Sequence, residues 1–339
     1  MTIDLRSDTL TLPTTAMKTA MMEAPLGDDV WGEDPTVNAL QEKMARLFGM
    51  EAALFCPSGT MCNQIAIRLS TRPQDQVICD QTAHIYLYEG GGIAANSLAS
   101  VKLLAGDRGR INVDQIRDAV NPADQHFPRT ALVALENTSN KGGGSCYSMS
   151  QIAQISMFCR ENQLRLHLDG ARLFNALVAS GDDPTEYGKY FDTISVCLSK
   201  GLGAPVGSVL LFREAERFDA LRIRKLMGGG MRQAGMLAAA GIYALDHQVE
   251  RLAEDHSHAQ IIGKILDDCD WVEDVMPVET NIICFKPQAE RYGVDAVLFR
   301  LREQNVLAAP FGHGYIRFVT HLDISGEMIE RLGGVLLTL

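Results

Sequence analysis

Between Glu51 and Arg213 short β-rich runs alternate with stretches of helical period, an alternation that predicts crossover units building a mainly parallel sheet. The runs are Ala52–Cys56, Val77–Cys79, Val101–Leu104, Thr130–Glu136, Arg165–Asp169, Thr193–Leu198 and Ser208–Phe212. They are mostly apolar throughout, as strands covered by helices on both faces are. Helices are expected at Thr60–Ser70, Asp114–Val120 and Ser148–Glu161, with Ser148 as an N-cap. After Arg213 the alanine-rich stretch Ala234–Leu252 continues with charged positions toward Leu266 and predicts one long helix. Strands at Asn281–Phe285 and Tyr315–Thr320, with helices at Val294–Gln304 and Ser325–Leu337, complete a small α+β unit. The expected fold class is therefore α/β. Residues 1–40 form an arm, 41–245 a large domain with a seven-stranded sheet, and 246–339 a small C-terminal domain.

A chain of 339 residues buries a sizeable core without disulfides or metal. Its formal charge of −11 opposes a sequence-independent grip on nucleic-acid phosphate or an anionic membrane. No run of eighteen apolar residues exists, and Asp4, Arg6 and Asp8 stand where a signal peptide needs an apolar stretch, so the expected address is the cytoplasm. Eight cysteines with no C-x-x-C pair and no metal-ligand spacing read as reduced, mostly buried thiols, and no metal is expected.

Two strand ends carry the chemistry, because ligands of open α/β sheets collect beyond the carboxyl ends of strands. One is Leu166-His167-Leu168-Asp169-Gly170-Ala171-Arg172; the other runs Ser199-Lys200-Gly201-Leu202-Gly203-Ala204-Pro205-Val206-Gly207. Asp169 and Lys200 lie 31 residues apart, about one crossover unit, which places them on neighbouring strands at the same edge. A lysine that can form a Schiff base, beside a carboxylate that can keep a pyridine nitrogen protonated, is what pyridoxal phosphate (PLP) requires; a structural ion pair is the other reading of these two fragments. In Cys56-Pro57-Ser58-Gly59-Thr60 a strand runs into a helix, whose first turn offers free N–H groups and hydroxyls to a phosphate. The glycines of Gly201–Gly207 do not make a dinucleotide fingerprint, since three residues precede the last glycine and a strand follows it.

These segments resemble the low-specificity threonine aldolases, fold-type I PLP enzymes of the aromatic amino-acid β-eliminating lyase and threonine aldolase superfamily. The resemblance runs through Asp4–Thr9, Gly27–Pro35, Pro57–Thr60, Leu135–Thr138, His167–Arg172, Leu198–Gly203, Gly228–Gln233 and Arg317–His321. It implies a PLP-dependent transferase-like fold with Lys200 as the Schiff-base lysine and Asp169 on the pyridine nitrogen. It also implies Ser58, Gly59 and Thr60 around the phosphate with help from Arg232, and His84 stacked on the ring. Ser7, Arg172 and Arg317 would hold the substrate carboxylate, with Arg172 also beside the cofactor. Lys225 and Arg232 would reach a neighbouring subunit's phosphate in a homotetramer built from dimers.

The activity implied is cleavage of L-threonine or L-allo-threonine, a small β-hydroxy amino acid, to glycine and acetaldehyde. His84, His126 or an ordered water takes the β-hydroxyl proton, as histidine's ordinary pKa suits. A β-elimination, or aldol chemistry on phenylserine-like substrates, uses the same cofactor residues. His247, His256 and His258 are expected to be solvated on the long helix, and His167 to be a satisfied core histidine. Two positions depart from the family pattern: Ser139 follows Glu136-Asn137-Thr138 where many members have histidine, and Trp31 stands where tyrosine is common. The acidic stretch Asp28–Asp34 reads as a solvated turn, a cation site or a surface against a second chain.

Overall fold

All seven apolar runs enter one sheet, β1 (Ala52–Cys56), β2 (Gln76–Asp80), β3 (Ser100–Leu104), β4 (Thr130–Glu136), β5 (Arg165–Gly170), β6 (Thr193–Cys197) and β7 (Ser208–Phe212). Their order is β1-β7-β6-β5-β4-β2-β3. The pairs from β3 to β6 are parallel, and β7 runs antiparallel to both of its neighbours. These observations come from a computed structural model that describes residues 2–288 and 290–339.

Registry decides where the chemistry falls. Glu136 pairs with Asp169, and Asp169 with Ser195, so the carboxyl ends of β4, β5 and β6 are level. The chain then turns through Lys200 and returns as β7, with Leu198 N–H bonded to Gly207 O at 3.0 Å. Gly207 has φ +115°, and a Cβ there would lie 2.6 Å from the Phe55 ring, so this reversal admits only glycine. The helix Gly59–Ser70 follows β1, and the helix Met149–Glu161 begins on Ser148 in a reciprocal capping box with Gln151.

The single long helix expected after Arg213 is two helices, Gly235–His247 and Leu252–Asp267. No proline or glycine breaks it. Packing does: Leu252 belongs to the core beneath the large sheet, whereas Ala259, Ile262 and Leu266 belong to a second core. One straight rod would not serve both. The same packing corrects two histidines, because His256 and His258 are buried and only His247 is exposed. Burial lowers the His256 pKa to about 4, and its Nε2 lies 3.2 Å from Asn175 Nδ2.

The second core lies under a four-stranded antiparallel sheet of β8 (Val272–Val275), β9 (Ile282–Pro287), β10 (Ala309–Gly312) and β11 (Tyr315–Val319), ordered β10-β11-β9-β8. β8 and β10 were not anticipated. β8 is half exposed and carries Glu273 and Asp274, and β10 contains Pro310, so neither shows an apolar run. The N-terminal segment is tied to this unit. Ile3–Asp4 pairs in parallel with Val306–Leu307, and Ile3 and Leu5 lie in the second core. Further along, helix Thr15–Met22 is capped by Thr14, whose Oγ1 accepts from Met17 N at 3.1 Å. Seven cysteines are buried and Cys146 is half-buried, all with free thiols. Among the described residues no helix is long and apolar enough to cross a membrane.

Candidate active site

The level ends of β4, β5 and β6 gather the site. Asp169 is buried; its Oδ2 accepts from Asn63 Nδ2 at 2.9 Å and its Oδ1 from Ala171 N at 3.1 Å. Among the described residues no lysine or arginine pairs with it, and the imidazole of His84, with a ring nitrogen within 4.8 Å, is an ionisable group beside it. His167, two residues back, is buried between Thr193 Oγ1 (2.9 Å) and Asn63 Oδ1 (3.1 Å), which makes it the satisfied core histidine expected. Its pKa falls to about 4 through burial. Asn63 thereby holds both His167 and Asp169 from the phosphate-side helix, a role the sequence alone does not reveal.

That helix starts at Gly59 with Ser58 as N-cap, Ser58 Oγ accepting from Met61 N at 3.2 Å. A Cβ on Gly59 would lie 2.6 Å from Cys197 Sγ at the end of β6. Only glycine lets the helix start this close to the sheet, with the free N–H groups of its first turn at the strand ends. Lys200 is half-buried on the turn after β6. The buried carboxylate free of any lysine or arginine partner, the helix start and the lysine are a donor set that fits PLP. Asp169 would hold the pyridinium, Ser58, Gly59 and Thr60 the phosphate, and Lys200 the aldehyde carbon.

Three further carboxylates surround this set, and none has a role in the expectations above. Glu89 Oε1 accepts from Asn63 Nδ2 at 2.8 Å and its Oε2 from Gln64 Nε2 at 2.6 Å, while His84 Nδ1 lies 3.1 Å from Oε1. Burial pulls the His84 pKa down, but its bond to Glu89 and the charges of Asp169, Glu89 and Glu136 outweigh that and hold it above the ordinary value. Glu136, buried at the end of β4, accepts from His84 N at 3.1 Å and from Asn140 N at 3.0 Å. Burial and the Asp169 charge raise it to about 7 against the pull of those amides. Glu136 entered the sequence reading only as the last residue of a strand and the first of the Glu136-Asn137-Thr138 run. Glu89 gives no sequence signal beyond standing five residues after His84.

The third is Asp8. Arg172 points its fork at it, with Nε 2.8 Å from Oδ2 and Nη2 2.7 Å from Oδ1, both side chains buried. Asn281 Nδ2 adds a bond of 3.3 Å. Burial would raise the Asp8 pKa, yet Arg172, with Lys200 behind it, lowers it to about 2. The bidentate face of Arg172 is thus spent inside the chain. Arg317, on β11, donates to Asn140 Oδ1 and Arg6 O at 2.9 Å each, and its Nε is buried without a partner. Burial and the nearby Arg172 charge lower the Arg317 pKa. Two guanidinium groups that repel each other, one with an unused donor, suit a carboxylate between them. Ser7 lies next to Asp8, half-buried, its hydroxyl accepting from Thr9 Oγ1 at 2.8 Å.

Three expected participants stand apart from this cluster within the chain. His126 is exposed on the loop before β4, at the opposite end of the strand from Glu136, and its Nδ1 lies 2.7 Å from Asp124 Oδ1. Arg232 bonds Asp28 at 2.9 Å and is exposed, as is Lys225. The Asp28–Asp34 stretch is solvated at its tip, Val30–Glu33, whereas Asp29 and Asp34 are buried. Asp29 pairs with Arg224 at 2.9 Å, and Asp34 caps the helix Pro35–Leu47. Trp31 in it is 75% exposed. Ser139 is buried, accepts from Gly142 N at 3.2 Å and packs against Gly109, so it is fixed within its own loop.

Comparison with known proteins fits this geometry. Residues 4–290 match the β-eliminating lyase family. The low specificity L-threonine aldolase of Escherichia coli (strain K12) is 44% identical over 97% of each chain. That of Candida albicans is 41% identical over 97% of this chain and 87% of its own. The threonine aldolase structure from Leishmania major superposes with a TM-score of 0.85 at 22% identity, covering 98% of both chains. The chain is therefore a member of the β-eliminating lyase family, with the fold of type I PLP enzymes and close kinship to the low-specificity L-threonine aldolases.

Proposed function

We propose that the protein is a carbon–carbon lyase that uses PLP to cleave L-threonine and L-allo-threonine to glycine and acetaldehyde. The observation that carries this is the gathering of buried Asp169 and Lys200 at the large sheet's edge with the Arg172–Arg317 pair, Arg317 reaching in from the small sheet, and with His84 beside Asp169. The names of the relatives support it. When bound, PLP supplies an electron sink for the pair released at Cα.

Arg317, with Arg172 behind it, binds the substrate α-carboxylate and so fixes which bond at Cα stands across the sink. Asp8 locks the Arg172 fork, and Asn140 locks one arm of Arg317. His84 Nδ1–H directed at Glu89 leaves Nε2 as the acceptor that takes the β-hydroxyl proton, the tautomer being set by its partner. Loss of that proton lets the Cα–Cβ bond break as the aldehyde forms. Ser7 lies close enough to Asp8 to add a donor to the carboxylate.

His126 has no part in the site of its own chain, and we place it, with Lys225 and Arg232, toward a neighbouring subunit. Exposed Trp31, Met22 and Leu12 on the N-terminal segment support an assembled form, for which a homotetramer is the reading. Eight free thiols support a cytoplasmic setting, and the net charge of −11 a partner that is neither nucleic acid nor membrane.

Product analysis tests the reading: purified protein, PLP and L-threonine, with glycine, acetaldehyde and ammonia quantified in one sample. Glycine and acetaldehyde in equal amounts are expected. Ammonia with a keto acid and no glycine would move the protein to β-elimination.

A further inference from the structure

The substrate side of the site holds one more cation than threonine can use. Arg172 is paired with Asp8, Lys200 is the cofactor lysine, and Arg317 takes the α-carboxylate. Lys141 remains. It follows Asn140, the residue that holds Arg317, and it is half-buried. Its Nζ donates to Phe311 O at 2.8 Å and lies 4.2 Å from the Phe311 ring centroid and 5.7 Å from that of Tyr88. Each ring has a second neighbour in the site. Arg317 lies 5.4 Å from the Phe311 centroid, and the Tyr88 ring lies 5.6 Å from that of His84. Lys141 therefore shares one ring with the arginine that binds the α-carboxylate and touches a second that neighbours the histidine facing the β-hydroxyl, which places its ammonium near the region a β-substituent would enter.

An ammonium has three donors, and the carbonyl of Phe311 uses one. Among the described residues no carboxylate pairs with Lys141. A lysine kept only for its stem leaves the ammonium in water; this one is fixed by a carbonyl and two aromatic rings.

We infer that Lys141 is a specificity determinant that receives an anionic β-substituent, so that the site takes β-hydroxy amino acids bearing a second carboxylate on Cβ, β-hydroxyaspartate being the simplest. The inference rests on the aldol reading above. The step is the same and balances without a co-reactant. The β-hydroxyl loses its proton, its oxygen becomes a carbonyl as the Cα–Cβ bond breaks, and Cα gains a proton. Glyoxylate and glycine result.

The test compares kcat/KM for L-β-hydroxyaspartate and L-threonine, by glycine release, in wild-type PLP-loaded protein and in Lys141→Met, which keeps the stem and removes the charge. Wild-type protein releases glycine from both, and the ratio of hydroxyaspartate to threonine falls about tenfold or more in Lys141→Met and recovers in Lys141→Arg. Binding is read without turnover by calorimetric titration of L-aspartate and L-2-aminobutyrate, the two substrates less the hydroxyl. The aspartate preference falls by a similar factor in Lys141→Met, and shrinks in wild type as salt rises. Glycine from threonine alone, or ratios that do not move, overturns the inference and leaves the aldol reading standing. Glycine from neither substrate overturns both.

Discussion

Glu136→Gln tests the electrostatics of the site through folding rather than turnover. The Glu136 carboxyl is held near 7 against an ordinary 4.5, chiefly by burial and by Asp169. Between those values the native state keeps a proton that the unfolded chain has released. Stability from this group is thus full below about pH 4.5 and is lost as pH rises through about 7. At about 1.4 kcal/mol per unit, the loss is on the order of 3 kcal/mol. Glutamine does not titrate, so that slope disappears. It also brings only one acceptor to two amides, His84 N and Asn140 N, at a pH-independent cost of about 1–3 kcal/mol. Urea denaturation of cofactor-free wild-type and variant protein at about pH 5 and about pH 8 separates the two effects. The variant is the less stable at the acid end, and the gap narrows or reverses at the alkaline end by about 3 kcal/mol. Parallel stability curves would refute the assignment of a raised pKa to Glu136.

Asp8→Asn leaves the buried Arg172 without its counter-ion, a loss of about 3–5 kcal/mol that a drop in the thermal midpoint reports, and it raises KM for the amino acid more than it lowers kcat because the fork is no longer fixed. Gly59→Ala drives a Cβ to 2.6 Å from Cys197 Sγ and displaces the helix start, so PLP affinity, titrated by absorbance, falls about tenfold or more while Cys197→Gly in the same chain restores part of it. Glu89→Gln removes the carboxylate charge beside the His84 proton, so the imidazole titration followed by NMR moves to lower pH; an unmoved titration would dissociate the two residues.

The large sheet was legible because all its strands except the edge strand Ser100–Leu104 are buried on both faces and therefore mostly apolar. Thr130–Glu136 and Ser208–Phe212 run between the residues anticipated, and Ser148 caps its helix. The elements that escaped are those whose existence depends on a partner. Val272–Val275 is half exposed with two acidic residues, and Ala309–Gly312 contains a proline, so each is a strand only because the neighbouring strand supplies its hydrogen bonds. The helix break near Gln248 has the same origin. Two cores, not a breaker residue, set the turn.

The site divides along a similar line. Lys200, Asp169 and Gly59 could be located because each sits at the end of a strand or the start of a helix, where one-dimensional pattern fixes three-dimensional place. Asp8, Asn63, Glu89 and Asn140 could not, since each acts by aligning a group distant in sequence, Asn63 reaching Asp169 and Asp8 reaching Arg172. Arg172 shows what this costs a motif-based argument. Its residue type and position are those of a carboxylate binder, yet its two best-directed donors are bonded to Asp8. Under the proposed function Arg172 would act on the substrate carboxylate through its positive charge and its remaining donors, and Arg317, with Nε unpartnered, would make the direct bond.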